Sequence, residues 1–176
     1  MTAVVMLFLI LLGSLLQSVT PPWLVMGGAK APLLLGLVLY YALTRERGTT
    51  FLAAILAGVM EDVLSMTPLG YSSAVYCVAG LVANGFKGVF YAESPVTAGV
   101  FGAGGGICAN LAVGFLLQRE GLIAASGHPA VMRLAGIAVL GLLCTPFVFG
   151  AAFGLDRMLG NLRSRREAVD VEFGSI

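Results

Sequence analysis

The chain is poor in charge and in histidine, and each shortage excludes a class of protein. Only 11% of its 176 residues are charged, ten Lys or Arg against nine Asp or Glu, for a net charge of +1. A balance so close to zero sets up no field that would draw in nucleic acid or an acidic substrate. His128 is the only histidine, in Gly127-His128-Pro129, which excludes a metal site of several imidazoles. Cys77, Cys108 and Cys144 all fall inside apolar runs and form no CxxC. They read as small apolar residues, not as disulfide partners or metal ligands. No HExxH or GxSxG is present, and no serine or cysteine is paired with a histidine on a recognisable motif. The expectation is a protein without catalytic residues, metal or cofactor.

A soluble-looking block is missing too. What fills the chain is hydrophobic sequence, 59% of residues, with a mean hydropathy of +0.97, well outside the range of soluble domains. Six apolar spans fit, at about 3–20, 31–44, 50–66, 68–86, 95–117 and 130–154, each near the length a bilayer requires. The fold class expected is an all-α integral membrane bundle over residues 1–156, followed by a basic juxtamembrane tail over 157–176. The first span lacks a basic leader and a clear small-x-small cleavage site, so it reads as a span and not as a signal peptide. The second is the shortest, and Arg45 and Arg47 close it, placed to snorkel.

Six spans put Arg45, Arg47, Lys87, Arg157, Arg163, Arg165 and Arg166 on one side, and Lys30, Arg119 and Arg133 on the other. Seven against three predicts both termini in the cytoplasm. In the tail, Arg163, Arg165 and Arg166 then lie close to anionic headgroups, as a lipid anchor. Thr67-Pro68 and Ser94-Pro95 each set a capping residue before a proline, a favoured helix start, for spans four and five. His128-Pro129 precedes span six, and Pro146 inside that span predicts a kink or a freed carbonyl.

Two adjacent carboxylates, Glu61 and Asp62, stand inside this lipid-facing chain. An ionisable group at membrane depth requires a partner, a cavity or the interface. Neighbours on a helix point about 100° apart, so the pair cannot act as acid and base on one substrate atom. Asp62 continues the stripe Ala54–Gly58, and Glu61 continues Ala53–Ala57. Three readings stand open. The acids reach headgroups or water, or Asp62 complements the positive start of the next helix across the Pro68 turn. In the third, Gln17, Glu61, Asp62, Asn110 and Arg133 form a polar cluster in the outer leaflet, with Arg133 as counter-ion. The third rests on depth, since Asp62 lies roughly 18 Å along its span and the others fall at a similar level.

Span five is dense in glycine: Gly99, Gly102, Gly104, Gly105, Gly106 and Gly114. Gly102 and Gly106 form a G-x-x-x-G, a packing face in an apolar helix, as do Ala53 and Ala57. One of these faces is a candidate for contact between chains.

Leu15-Leu16-Gln17-Ser18 ends the first span, and Pro32-Leu33-Leu34-Leu35 leads the second, which ends in Tyr40-Tyr41-Ala42-Leu43. Then come Gly58, Asp62 and Pro68-Leu69-Gly70-Tyr71. This order resembles the rod shape-determining MreD family over about residues 5–120, with a departure at Leu33, where an acidic residue is frequent. The resemblance implies a non-enzymatic component of the bacterial cell-elongation complex in the inner membrane. It implies binding to the single-span protein MreC, and through it coupling to the actin-like MreB and to peptidoglycan synthases. That family's bundle also looks like the substrate-binding subunits of energy-coupling-factor transporters. A vitamin- or metal-importer subunit is therefore the alternative function.

Overall fold

The computed structural model describes residues 2–21, 28–87, 95–121 and 127–158. Six helices follow one another: α1 Thr2–Val19, α2 Leu33–Thr44, α3 Arg47–Ser65, α4 Tyr71–Gly85, α5 Pro95–Arg119 and α6 Gly127–Met158. No strand occurs among the described residues. The helices α3, α5 and α6 are each long and apolar enough to cross a membrane. The basic tail, with Arg163, Arg165 and Arg166, lies outside the described residues; α6 itself runs through Met158.

The short second helix is the hub. Its ten residues Leu34–Leu43 are all buried, as expected of a helix that is apolar on every side. It touches all five other helices, and those five close a ring around it in the order α1, α3, α4, α5, α6 and back to α1. At 12 residues α2 is about 18 Å long, which suits a core element shielded from lipid. Around it, α1 turns the stripe Met6, Ile10, Gly13 and Gln17 inward and leaves Phe8, Leu11, Leu15 and Val19 facing out.

Small residues set how closely the ring packs. A Cβ at Gly58 would fall on the backbone of Ser73, so α3 and α4 touch main chain to main chain there. Between α5 and α6 the crossing is Gly102 against Gly141 and Thr145. Pro146 lies within α6 and has no N–H to give the Leu142 carbonyl. That carbonyl instead lies against Gly99, 3.1 Å from where a Cβ would stand. Gly106 rests on Ile137, and Ala53 and Ala57 are buried. Both faces singled out in the sequence are therefore filled by the chain's own helices, which removes them as surfaces for another chain.

Because Gly58 abuts backbone, Gly58→Ala forces α3 and α4 apart, an overpacking cost of about 1–3 kcal/mol. Gly150 is exposed and has nothing within 4 Å of where a Cβ would stand, so Gly150→Ala on the outer face of α6 should be neutral or slightly stabilising. Thermal unfolding of the two variants in one detergent compares them directly. Equal midpoints would mean that the α3–α4 contact yields easily.

An acidic anchor beneath the Pro68 turn as candidate functional site

Asp62 is fully buried three residues before the end of α3. Its Oδ1 accepts from the Thr67 hydroxyl at 2.9 Å and from the Ser72 amide at 3.0 Å; its Oδ2 accepts from the Gly70 amide at 2.7 Å. Its main-chain carbonyl accepts from Met66, the α3 C-cap, and from Thr67 at 3.1 Å. One residue thus closes the end of one helix and the start of the next.

The chemistry follows from what a helix start leaves open. The first amides of α4 have no intrahelical acceptor, and they carry the positive end of the helix dipole. Gly70 is the α4 N-cap and has no side chain to offer; at φ 104° the position requires glycine. Asp62 supplies the missing acceptor from the preceding helix and reaches the Ser72 amide, the second of α4, where a capping side chain would bond. Met66 at φ 53° is left-handed without being glycine, a strain of about 1–2 kcal/mol held in place by these bonds.

Thr67 is consequently not the cap of α4, which starts at Tyr71 and not at Pro68: its hydroxyl is taken by Asp62. Pro95 does open α5, while His128 and Pro129 fall in the first turn of α6 and do not precede it.

Glu61 points elsewhere. It is half-buried, and its Oε2 accepts from Gln17 Nε2 at 2.6 Å while its Oε1 accepts from Ser65 Oγ at 3.1 Å. The buried Tyr76 of α4 also hydrogen-bonds it. Gln17 Oε1 in turn accepts from the Leu34 amide at 3.4 Å, at the start of α2. The Gln17 amide therefore ties α1 to α2 and α3, and the two acids together tie α1 through α4 at one end of the bundle.

Asn110 and Arg133 do not join them. Arg133 is exposed on α6 and Asn110 half-buried on α5, and neither helix touches α3, because α2 and the ring order stand between. A similar expected depth does not bring residues together around the bundle. Asp62 is stabilised by amides and a hydroxyl, not by an arginine.

A second buried acid escaped the sequence reading. Asp156, near the end of α6, is fully buried and accepts at Oδ2 from Tyr40 Oη at 3.0 Å and from Arg45 Nη2 at 3.1 Å. Asn84 Nδ2 donates to the carbonyls of Ala42 and Arg45 at 2.7 and 3.3 Å, and Lys87 Nζ donates to the Arg45 carbonyl at 2.6 Å. The α2–α3 turn is thus gripped from α4 and from α6. Arg45 is spent on Asp156, which corrects its assignment as a snorkelling residue; Arg47 remains exposed. The available signal was a lone aspartate just beyond the apolar run of span six, with Tyr40-Tyr41 and Arg45 due at the same end.

Five helices around an apolar sixth, three of the five long enough to cross a bilayer, define an all-α membrane protein whose polar side chains fasten its turns. The family description rod shape-determining protein MreD matches residues 1–103, which include the Asp62 anchor and its turn. That is more than half of the chain, and the chain belongs to the MreD family, whose role is in the determination of cell shape. No curated protein and no solved structure matches it.

Proposed function

We propose that the protein is a non-enzymatic scaffold of the bacterial cell-elongation complex in the inner membrane. It holds an MreC-like single-span protein and through it helps couple an MreB-like actin homologue to peptidoglycan synthases. The observation that carries this is the family match over residues 1–103. The architecture supports it, since the buried acids are consumed in fastening helices, as a rigid holder requires. Both termini lie in the cytoplasm and the Pro68 turn faces the periplasm, on the positive-charge count. The importer-subunit alternative is not carried forward, because the matched family is one of shape determination.

Disruption of the gene should turn rods into rounded cells, and the intact gene should restore them. Normal rods after disruption would overturn the reading. Reporter fusions after Arg47 and Arg166 should behave as cytoplasmic and a fusion at Gly127 as periplasmic. Any two of these reversed would overturn the orientation.

A further inference from the structure

The ring around α2 carries a groove on one side. Between α4 and α5 runs a concavity of about 880 Å³ whose floor is Leu39 of the central helix with Gly104, Gly105 and Cys108 of α5. Val78 and Val82 of α4 and Val100 of α5 form its walls, and all three are exposed. Among the described residues, none that lines it is charged. At one end the rings of Phe86 and Phe101 meet edge to face, centroids 6.0 Å apart, bringing the two helices together.

We infer that this groove seats one uncharged transmembrane helix from another chain, presenting a ridge of bulky aliphatic side chains at i and i+4. The inference rests on the proposed function, which calls for a single-span partner, and it names the place that partner would occupy. Three observations on the groove choose a helix over a lipid or a charged segment. The first is length. The α5 wall runs from Val96 to Leu116, about 30 Å at 1.5 Å per residue, and the α4 wall from Ala74 to Phe86, about 18 Å. Each exceeds the roughly 15 Å of one leaflet's hydrocarbon, which is as far as a single lipid reaches. The second is charge. A lining without any ionised group matches an uncharged helix and would strand a charged one in lipid at high cost. The third is the floor. Helices in membranes associate by close packing over small residues, and the other close glycine contacts are already met inside the chain, Gly58 by Ser73, Gly102 by Thr145 and Gly106 by Ile137. Gly104 is exposed and meets nothing within 4 Å. Cys108 follows it by one helical turn and is exposed too, giving the i, i+4 spacing into which a ridge would fit.

The test uses the full-length chain co-expressed with its MreC-like partner and purified in mild detergent. Gly104→Leu fills the groove without touching the bundle, and Cys108→Phe does so one turn further along. Gly114→Leu, on the same helix, also meets open space but does not line the groove. Wild type and Gly114→Leu should retain the partner, while Gly104→Leu and Cys108→Phe should lose it at least tenfold. A second measurement needs no substitution in the groove. With Cys77 and Cys144 changed to alanine, mild oxidation should link Cys108 to cysteines placed on the partner's transmembrane helix, at positions repeating every three to four residues. Full retention by both filled variants would overturn the groove and leave the proposed function standing. Loss of the partner from wild type would overturn that function and the occupant with it. A Cys108–Cys108 link between two copies of this chain would show that a second copy fills the groove, and would overturn the inference.

Discussion

Asp62→Ala is expected to leave little folded protein in the membrane. The substitution removes three hydrogen bonds to a buried carboxylate, from Thr67, Gly70 and Ser72. Bonds of this charge-assisted kind are worth about 1.5–3 kcal/mol each. They share one acceptor and so do not add, but a total on the order of 3–5 kcal/mol remains, against a whole-protein stability of about 5–15 kcal/mol. The Ser72 amide is left buried without an acceptor, and the strained Met66 turn loses its fastening. Asp62→Asn separates the contributions. An amide oxygen at Oδ1 still accepts from Thr67 and Ser72, but the amide nitrogen then confronts the Gly70 N–H, donor against donor, across the 2.7 Å contact. Asn should therefore fall between wild type and Ala. Glu61→Gln should do least, because Glu61 is half-buried and a glutamine oxygen can still accept from Gln17. Folded yield by fluorescence-detected size exclusion, with thermal midpoints for the survivors, ranks the three. Tolerance of Asp62→Ala equal to that of Glu61→Gln would show that the turn holds without its anchor.

The extent of each helix was legible in the sequence and its angle around the bundle was not. Charge, proline and apolar run length place a residue along a span, so the ends of the six helices fall within four residues of the expected spans. The same signals placed Gln17, Asp62, Asn110 and Arg133 at one level. Which side of the bundle each faces depends on the ring order, set by how α3–α4 and α5–α6 pack as pairs around α2. No local pattern carries that order. The start of α4 was misread for a related reason. Thr67-Pro68 is a sound local start signal, but a buried carboxylate nine residues before Tyr71 outcompetes it for the free amides. Of the three readings of Asp62, the structure selects the one in which it answers the start of the next helix. Asp156 was passed over because it stands where apolar sequence gives way to basic sequence, and an acid there reads as solvated. Only its tertiary neighbours Tyr40 and Arg45 reveal that it is enclosed.

That enclosed pair should respond asymmetrically to mutation. Arg45→Met is expected to cost more than Asp156→Asn, although each breaks the same ion pair. Asp156 is completely buried whereas the Arg45 side chain retains 19% of its exposure. Removing the arginine takes the guanidinium from a fully buried carboxylate, the situation in which breaking a buried pair costs about 3–5 kcal/mol. Removing the acid strands a long side chain already near the edge of the bundle, which can turn its guanidinium out toward headgroups or water. Asparagine at 156 can still accept from the Tyr40 hydroxyl, which softens the loss further. The contacts from Asn84 and Lys87 end on the Arg45 carbonyl, so neither substitution touches them directly. Combining Arg45→Met with Asp156→Asn removes both charges at once, and the double variant should be more stable than Arg45→Met alone. The coupling expected for two residues in contact is on the order of 1–3 kcal/mol. Thermal unfolding of the four proteins in one detergent closes the cycle. If Asp156→Asn proves the costlier single change, or the double variant recovers nothing, then Arg45 does not compensate a buried charge and the grip of α6 on the α2–α3 turn rests on packing around Tyr40 instead.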